Sequence, residues 1–201
     1  GNVKLTTNKM NDNNFTNMYE VEMKVEITDK ELQKLIEYFK QSNVPSLGIT
    51  PQNDLYTTAN KSPFGGYDIQ RYREEGSKFI YTEKVWEMVD GQPIRRESEQ
   101  ELSKSEFISK ISNFPKALRI SKDREWFTAN HQGRDISITI DTVKFDHSSD
   151  IRHFIEAEIR VADKNEIAAT KNLIKSFLME VLQKSEVVEA PGMFTMAFEK
   201  V

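Results

Sequence analysis

Charged residues recur at every second position in separate stretches of this chain, and that rhythm constrains the fold more than any other feature of the sequence. In "YEVEMKVEI", Tyr19, Val21, Met23, Val25 and Ile27 alternate with Glu20, Glu22, Lys24 and Glu26. A strand has this period, with successive side chains on opposite faces. The same spacing sets Arg71 with Arg73, Arg95 with Glu97 and Glu99, Lys122 with Arg124, and Glu156 with Glu158; Lys84 extends the pattern to a sixth strand. Antiparallel strands commonly bury one face and wet the other, so each stretch alone reads as a solvated side. Two features oppose that reading. Tyr67 and Ile69 share the parity of Arg71, and Ile120 and Trp126 that of Lys122, so these charged faces have apolar ends, as a lined cavity has. The signs also segregate, with carboxylates paired on some strands and cations on others.

Around these strands the chain reads as one domain. Residues 1–17, with "NKMNDNNFTN", are rich in Asn and lack a period, and are expected to form a flexible arm ahead of a single domain at 18–201. Thr28 with Glu31 and Ser103 with Glu106 are capping boxes. The first opens a helix carrying Leu32, Leu35, Ile36 and Phe39, which ends before a loop over 43–51; the second opens a short one carrying Phe107, Ile111 and Phe114. "NDLYTT", "YDIQRYR", "KFIYTEKVWEM" and "PIRRESEQEL" read as strands, with turn signals at Gly65-Gly66, Glu75-Gly76 and Asp90-Gly91. "ALRISKDREWF", "DISITIDTVKF" and "HFIEAEIRV" follow, then a long helix capped by Asp163 with Ile167, Ile174, Phe177, Leu178, Val181 and Leu182 on one stripe. About eight strands in antiparallel succession with three helices predict an α+β, mainly antiparallel fold: a closed eight-stranded barrel flanked by helices. The last helix is expected on the outer wall, with a homodimer contact as the second reading.

If all the charged faces point inward, Lys24, Arg71, Arg73, Lys84, Arg95, Lys122 and Arg124 share a bore with Glu20, Glu22, Glu97, Glu99, Glu156 and Glu158. Buried dry, so many charges would cost far more than a net fold stability of roughly 5 to 15 kcal/mol. Such a bore calls for water, metal ions and a charged ligand. Polyphosphate chemistry needs both signs, because Arg and Lys neutralise phosphate oxygens while carboxylates hold a hard divalent cation. A net charge of −4 argues against a surface for nucleic acid. The lack of cysteine removes disulfides, thiolate nucleophiles and Cys-type zinc sites and fits a reducing compartment, so a cytoplasmic location is expected. Gly1 in place of Met reads as an expression scar or a trimmed start, which leaves a removed signal open. No apolar run is long enough for a membrane helix. His131, His147 and His153 lack metal-ligand spacing, and Trp86 and Trp126 read as packing residues before stacking platforms.

The motifs "EVEMK", "DLY" at Asp54, "QRYR", "YTEK", "RRESE", "SKDR", "ITID" at Asp141 and "FIEAE" stand in one order between Tyr19 and Val161. In that order the chain resembles the CYTH superfamily of triphosphate tunnel metalloenzymes, which includes thiamine triphosphatases and class IV adenylate cyclases. It departs from the family at "FDHSSDIRHF", which has no glycine turn before the last E-x-E. The resemblance implies an eight-stranded tunnel holding a triphosphate end-on with Mg2+ or Mn2+. Glu20, Glu22 and Glu158 would ligate the ion, with Glu156 serving a second ion or the attacking water. Lys24, Arg71, Arg73, Lys84, Arg95, Lys122 and Arg124 would hold phosphates, Lys24 and Lys84 acting with Glu156 in catalysis, and Glu97, Glu99 and Asp141 would complete the lining. The expected partner is a small triphosphate, with nucleic acid entering only as a 5′-triphosphate end and no membrane. Adenylate cyclisation and a non-catalytic polyphosphate- or nucleotide-binding module are the alternatives. A lipocalin-like carrier would want an apolar bore and fits these charges poorly.

Overall fold

The computed structural model describes residues 2–9, 15–89 and 91–201, with side chains from Met18 onward except at 92. Among the described residues there are nine strands: β1 (Asn2–Lys9), β2 (Phe15–Ile27), β3 (Ile49–Lys61), β4 (Tyr67–Glu75), β5 (Lys78–Val89), β6 (Gln92–Leu102), β7 (Leu118–His131), β8 (Arg134–Phe145) and β9 (Ile151–Val161). The helices are α1 (Asp29–Gln41), α2 (Lys104–Ile111), α3 (Ile167–Leu182) and α4 (Met193–Glu199). Strands β2 to β9 pair antiparallel in the order β2-β9-β8-β7-β3-β4-β5-β6 and form one curled sheet. β1 joins its two edges, antiparallel to β2 over eight residue pairs and parallel to β6 over three. The fold is thus α+β and mainly antiparallel, as the alternating pattern predicts.

Two sequence expectations change. Residues 2–9 and 15–17, read as arm, lie in β1 and the start of β2, because pairing with β2 and β6 supplies the order that their polar composition does not; residues 10–14 lie outside the described residues. The loop read over 43–51 ends earlier, since β3 begins at Ile49. Pro51 sits opposite Asp123 of β7 but just outside the β4 ladder, which begins at Gln52, so its missing N–H is tolerated there.

Local chemistry forms the elements as the sequence indicates. Both capping boxes are made, with Thr28 Oγ1 accepting from Glu31 N at 3.1 Å and Ser103 Oγ accepting from Glu106 N at 3.2 Å. Asp163 caps a short 3-10 turn at Lys164–Glu166, and α3 starts after it without a side-chain cap. The outward faces of β2, β7, β8 and β9, including Val21, Met23, Val25, Ile27, Ile138 and Ile155, are buried under α1 and α3. Leu55 and Tyr72, on the outward faces of β3 and β4, pack on Phe107 of α2. Since side chains alternate, the charged positions of these strands must face the concave side.

The tail is where the apolar ends of the charged faces are accounted for. Tyr56, Ile69, Ile120, Val143, Phe145 and Phe154 form one cluster with Met193, Phe194, Met196 and Ala197 of α4. These strand residues share the inward parity of Arg71, Lys122 and Glu156, so α4 closes one end of the cavity. Arg152 secures it, donating to both carboxylate oxygens of Glu26 at 2.8 Å and to the Val201 carbonyl at 2.8 Å. Among the described residues no helix is long and apolar enough to cross a membrane.

Candidate functional site

The concave side of the sheet encloses a cavity of about 1080 Å³ lined by both signs of charge. Glu20, Glu22, Lys24, Arg71, Arg73, Lys84, Arg95, Glu97, Glu99, Lys122, Arg124, Glu156 and Glu158 all line it. Of the charged residues of the alternating strand pattern, Glu26 is off the cavity wall and pairs with Arg152, while Asp141 lies one step behind the wall, holding Arg124. The "YEVEMKVEI" strand keeps its apolar side under the helices and turns Glu20, Glu22 and Lys24 inward.

One wall is cationic and organised by two buried aspartates. Asp54, 1% exposed, accepts from Arg73 Nε at 2.7 Å and Nη2 at 2.8 Å, and lies 3.7 Å from Lys122 Nζ. Burial works to raise the Asp54 carboxyl, but Arg73 and then Lys122 outweigh it and hold it far below the usual carboxylate range. Asp141 accepts from Arg124 Nε and Nη2, both at 2.8 Å, and is likewise held low against its own burial, chiefly by Arg124. Lys122 is pushed well below the ordinary lysine value by burial, with Arg124 and Arg73 adding to the effect. Arg71, 4% exposed, donates from Nη2 to Thr82 Oγ1 at 3.1 Å, and its Nε meets no hydrogen-bond acceptor. Bidentate clamps on Arg73 and Arg124 fix those guanidinium planes, while Arg71 keeps donor capacity for a ligand.

The opposite wall is acidic and reads as three rungs between β2 and β9. Glu20 faces Arg160, Glu22 faces Glu158, and Lys24 faces Glu156. The outer rungs balance their own charge, with Arg160 Nη2 3.1 Å from Glu20 and Lys24 Nζ 3.6 Å from Glu156. The middle rung opposes two carboxylates, which destabilises a sheet unless cations join it. Arg95 of β6 lies 3.3 Å from Glu22 and Arg160 Nε 3.5 Å from Glu158. Glu22, Glu156 and Glu158 each offer an oxygen within 4.8 Å of the others. Ligand bonds of about 2.0 to 2.6 Å set opposite oxygens about 4 to 5 Å apart, so the trio fits one hard divalent cation.

Between the walls, Lys84 Nζ lies 3.8 Å from Glu97. Glu99 is raised by burial and then by the adjacent Glu97 charge. The tryptophans have taken faces: Arg95 lies over Trp86 at 5.7 Å and Arg124 over Trp126 at 5.6 Å, which matches a packing role. Gly66, at φ +69°, approaches so closely that a Cβ there would stand 3.2 Å from Trp86 Nε1. His131 and His153 serve the outer layer, His131 contacting Ser176 and Glu180 and His153 contacting Thr142 and Asp29, while exposed His147 stacks on Phe145 of the end cluster.

Sequence reasoning missed Arg160, the 189–195 segment on the cavity wall, and the organising work of Asp54. Arg160 was legible, since it continues the Glu156, Glu158 parity by one further step. Asp54 shares a strand face with Tyr56 but stands as a single acid with no partner to pair it with. The tail carried no such signal.

Fold and site together define a class, antiparallel proteins whose curled sheet sets a row of acids against rows of cations around a polar cavity. A CYTH domain model matches residues 18–190, and the chain belongs to the CYTH family. In structure it is similar to the PH1819 protein from Pyrococcus horikoshii OT3, with a TM-score of 0.63 at 21% identity, covering 91% of this chain and 100% of that one. It is also similar to HpAC1 from Hippeastrum, an adenylyl cyclase candidate with a dominant triphosphatase activity, with a TM-score of 0.57 at 15% identity over 90% of this chain and 96% of that one. An adenylate cyclase candidate from Bacillus halodurans gives the same TM-score and identity over 89% and 97%. At these identities the likeness carries the fold. A comparison with curated proteins finds no match.

Proposed function

We propose that this protein is a divalent-metal-dependent triphosphatase that releases the terminal phosphate of inorganic triphosphate or a small organic triphosphate. The observation that carries the reading is the Glu22–Glu158 rung, completed by Glu156, in one cavity with Arg71, Arg73, Lys122 and Arg124. Carboxylates alone, with no soft donor among them, fit Mg2+ or Mn2+ better than zinc. Held by Glu22, Glu156 and Glu158, such an ion supplies neutralisation of phosphate-oxygen charge and a lowered pKa for water.

The chain's own residues supply positioning and charge. Arg71, Arg73, Lys122 and Arg124 hold the non-bridging oxygens, Arg73 and Lys122 prealigned by Asp54 and Arg124 by Asp141, so little reorganisation of those groups is left for the reaction. Lys24 and Lys84 neutralise charge on the terminal and leaving groups, Arg95 adds a cation beside Glu22, and Glu97 and Glu99 set the charge around Lys84. Water attacks the terminal phosphorus in line, its proton passes to Glu156, and the bond to the bridging oxygen breaks with the electron pair leaving on diphosphate. Orthophosphate and diphosphate are the products.

The test is phosphate release from inorganic triphosphate, thiamine triphosphate and ATP with Mg2+, Mn2+ or chelator, with cyclic AMP followed in the ATP arm and Glu22→Gln beside the wild type. Release that needs metal and collapses in the variant is expected. Release indifferent to both would refute the site. Absent release, with triphosphate still raising the melting temperature, would favour the binding module, and cyclic AMP as the main product would favour the cyclase.

A further inference from the structure

We infer that Arg160 is a positioning residue that withholds Glu20 from the metal and limits the acidic wall to a single divalent ion. This rests on the metal reading of that wall. Glu20, Glu22, Glu156 and Glu158 share one cavity face on two neighbouring strands, and four carboxylates supply enough oxygens for two hard cations completed by water. Yet the oxygens that converge belong to Glu22, Glu156 and Glu158, without Glu20. The difference lies in what each rung faces. Glu20 is paired across the strands with Arg160, whose Nη2 lies 3.1 Å from Glu20 Oε1 while its Nε reaches Glu158 Oε1 at 3.5 Å.

A guanidinium competes for the same lone pairs a cation would use, and its fixed charge repels a second dication nearby. The Arg160 side chain is 60% exposed. Exposed ion pairs contribute little to stability, so its effect falls on the site and not on the fold. Arg160 therefore divides the four acids, three for the ion and one tied to the chain.

The experiment is Mn2+ binding to the full chain without substrate, by electron paramagnetic resonance titration and calorimetry. The wild type is expected to bind one Mn2+; Glu22→Gln weakens it by about tenfold or more, in the range lost when metal-site residues change, while Glu20→Gln leaves it unchanged. Arg160→Gln gains a second Mn2+ that disappears in Arg160→Gln combined with Glu20→Gln, and Arg160→Lys, which keeps the charge, stays at one. Two ions in the wild type, one ion at wild-type affinity in Arg160→Gln, or equal losses in Glu20→Gln and Glu22→Gln would overturn the inference. A wild type that binds no Mn2+ would remove the metal reading itself, a result distinct from all of these.

Discussion

Replacing Asp54 by Asn removes one negative charge from the centre of the cationic wall while keeping its shape. In the native chain that carboxylate receives two hydrogen bonds from Arg73 and lies 3.7 Å from Lys122, with the side chains of both cations at least nine-tenths buried. Loss of one partner leaves uncompensated buried charge. That costs about 3 to 5 kcal/mol, or a fall in melting temperature of about 6 to 20 °C for a chain of this length. Thermal unfolding at neutral pH measures it, and the reasoning adds two requirements. Asp54 is held below its ordinary value of 3.8. The native state then binds fewer protons than the unfolded chain, so its stabilisation is present above that value and declines as pH falls below it. The gap between wild type and variant should therefore narrow in acid. Combining Asp54→Asn with Arg73→Met should cost less than the two single changes together, because the second removes a charge the first has stranded. A shift under about 2 °C at neutral pH, less than about 1 kcal/mol, would refute the placement of these groups in a buried, mutually paired wall.

Other outcomes follow from the same geometry. Lys122 is lowered well below the ordinary lysine value, so the folded chain sheds that proton before the unfolded chain does, and the cost of holding it charged is relieved as pH rises through the folded value. A bound triphosphate favours the protonated amine, so binding should take up protons and weaken with rising pH, measurable by calorimetry in buffers of different ionisation enthalpy; proton-neutral binding that persists at high pH would contradict this. Arg71→Met should leave the melting temperature near or above the wild-type value, since a buried guanidinium with an unmet Nε is replaced by an apolar chain, while KM for triphosphate rises at least about tenfold with the loss of a charged hydrogen bond or two. Phe194 packs between Tyr56 and Tyr67 at 5.3 and 5.1 Å, and Phe194→Ala should lower stability by about 3 to 5 kcal/mol in denaturant unfolding; a loss below about 1 kcal/mol would mean that α4 does not close the cavity as described.

The sequence by itself determined strands β2 to β9, the capping boxes of the first two helices and which side of the charged strands carries the charge, because period and capping are written in neighbouring residues. It also carried the ordered acid and cation motifs, and with them the contents of the cavity. It left undetermined which cations meet which acids. Arg73 lies 19 positions from Asp54, and Arg124 lies 17 from Asp141. Those pairings depend on strand register and sheet curvature, which no local pattern encodes. Only the tertiary structure placed Glu22 opposite Glu158 and Glu20 opposite Arg160, and a one-step slip between β2 and β9 would abolish both. It also decided the fate of the ends. Residues 2–9 become a strand because two sheet edges are within reach, and "APGMFTMAFEKV" becomes a closing helix because an apolar ring waits at the end of the bore. Periodicity reports which face a residue takes, whereas what that face meets depends on distant parts of the chain.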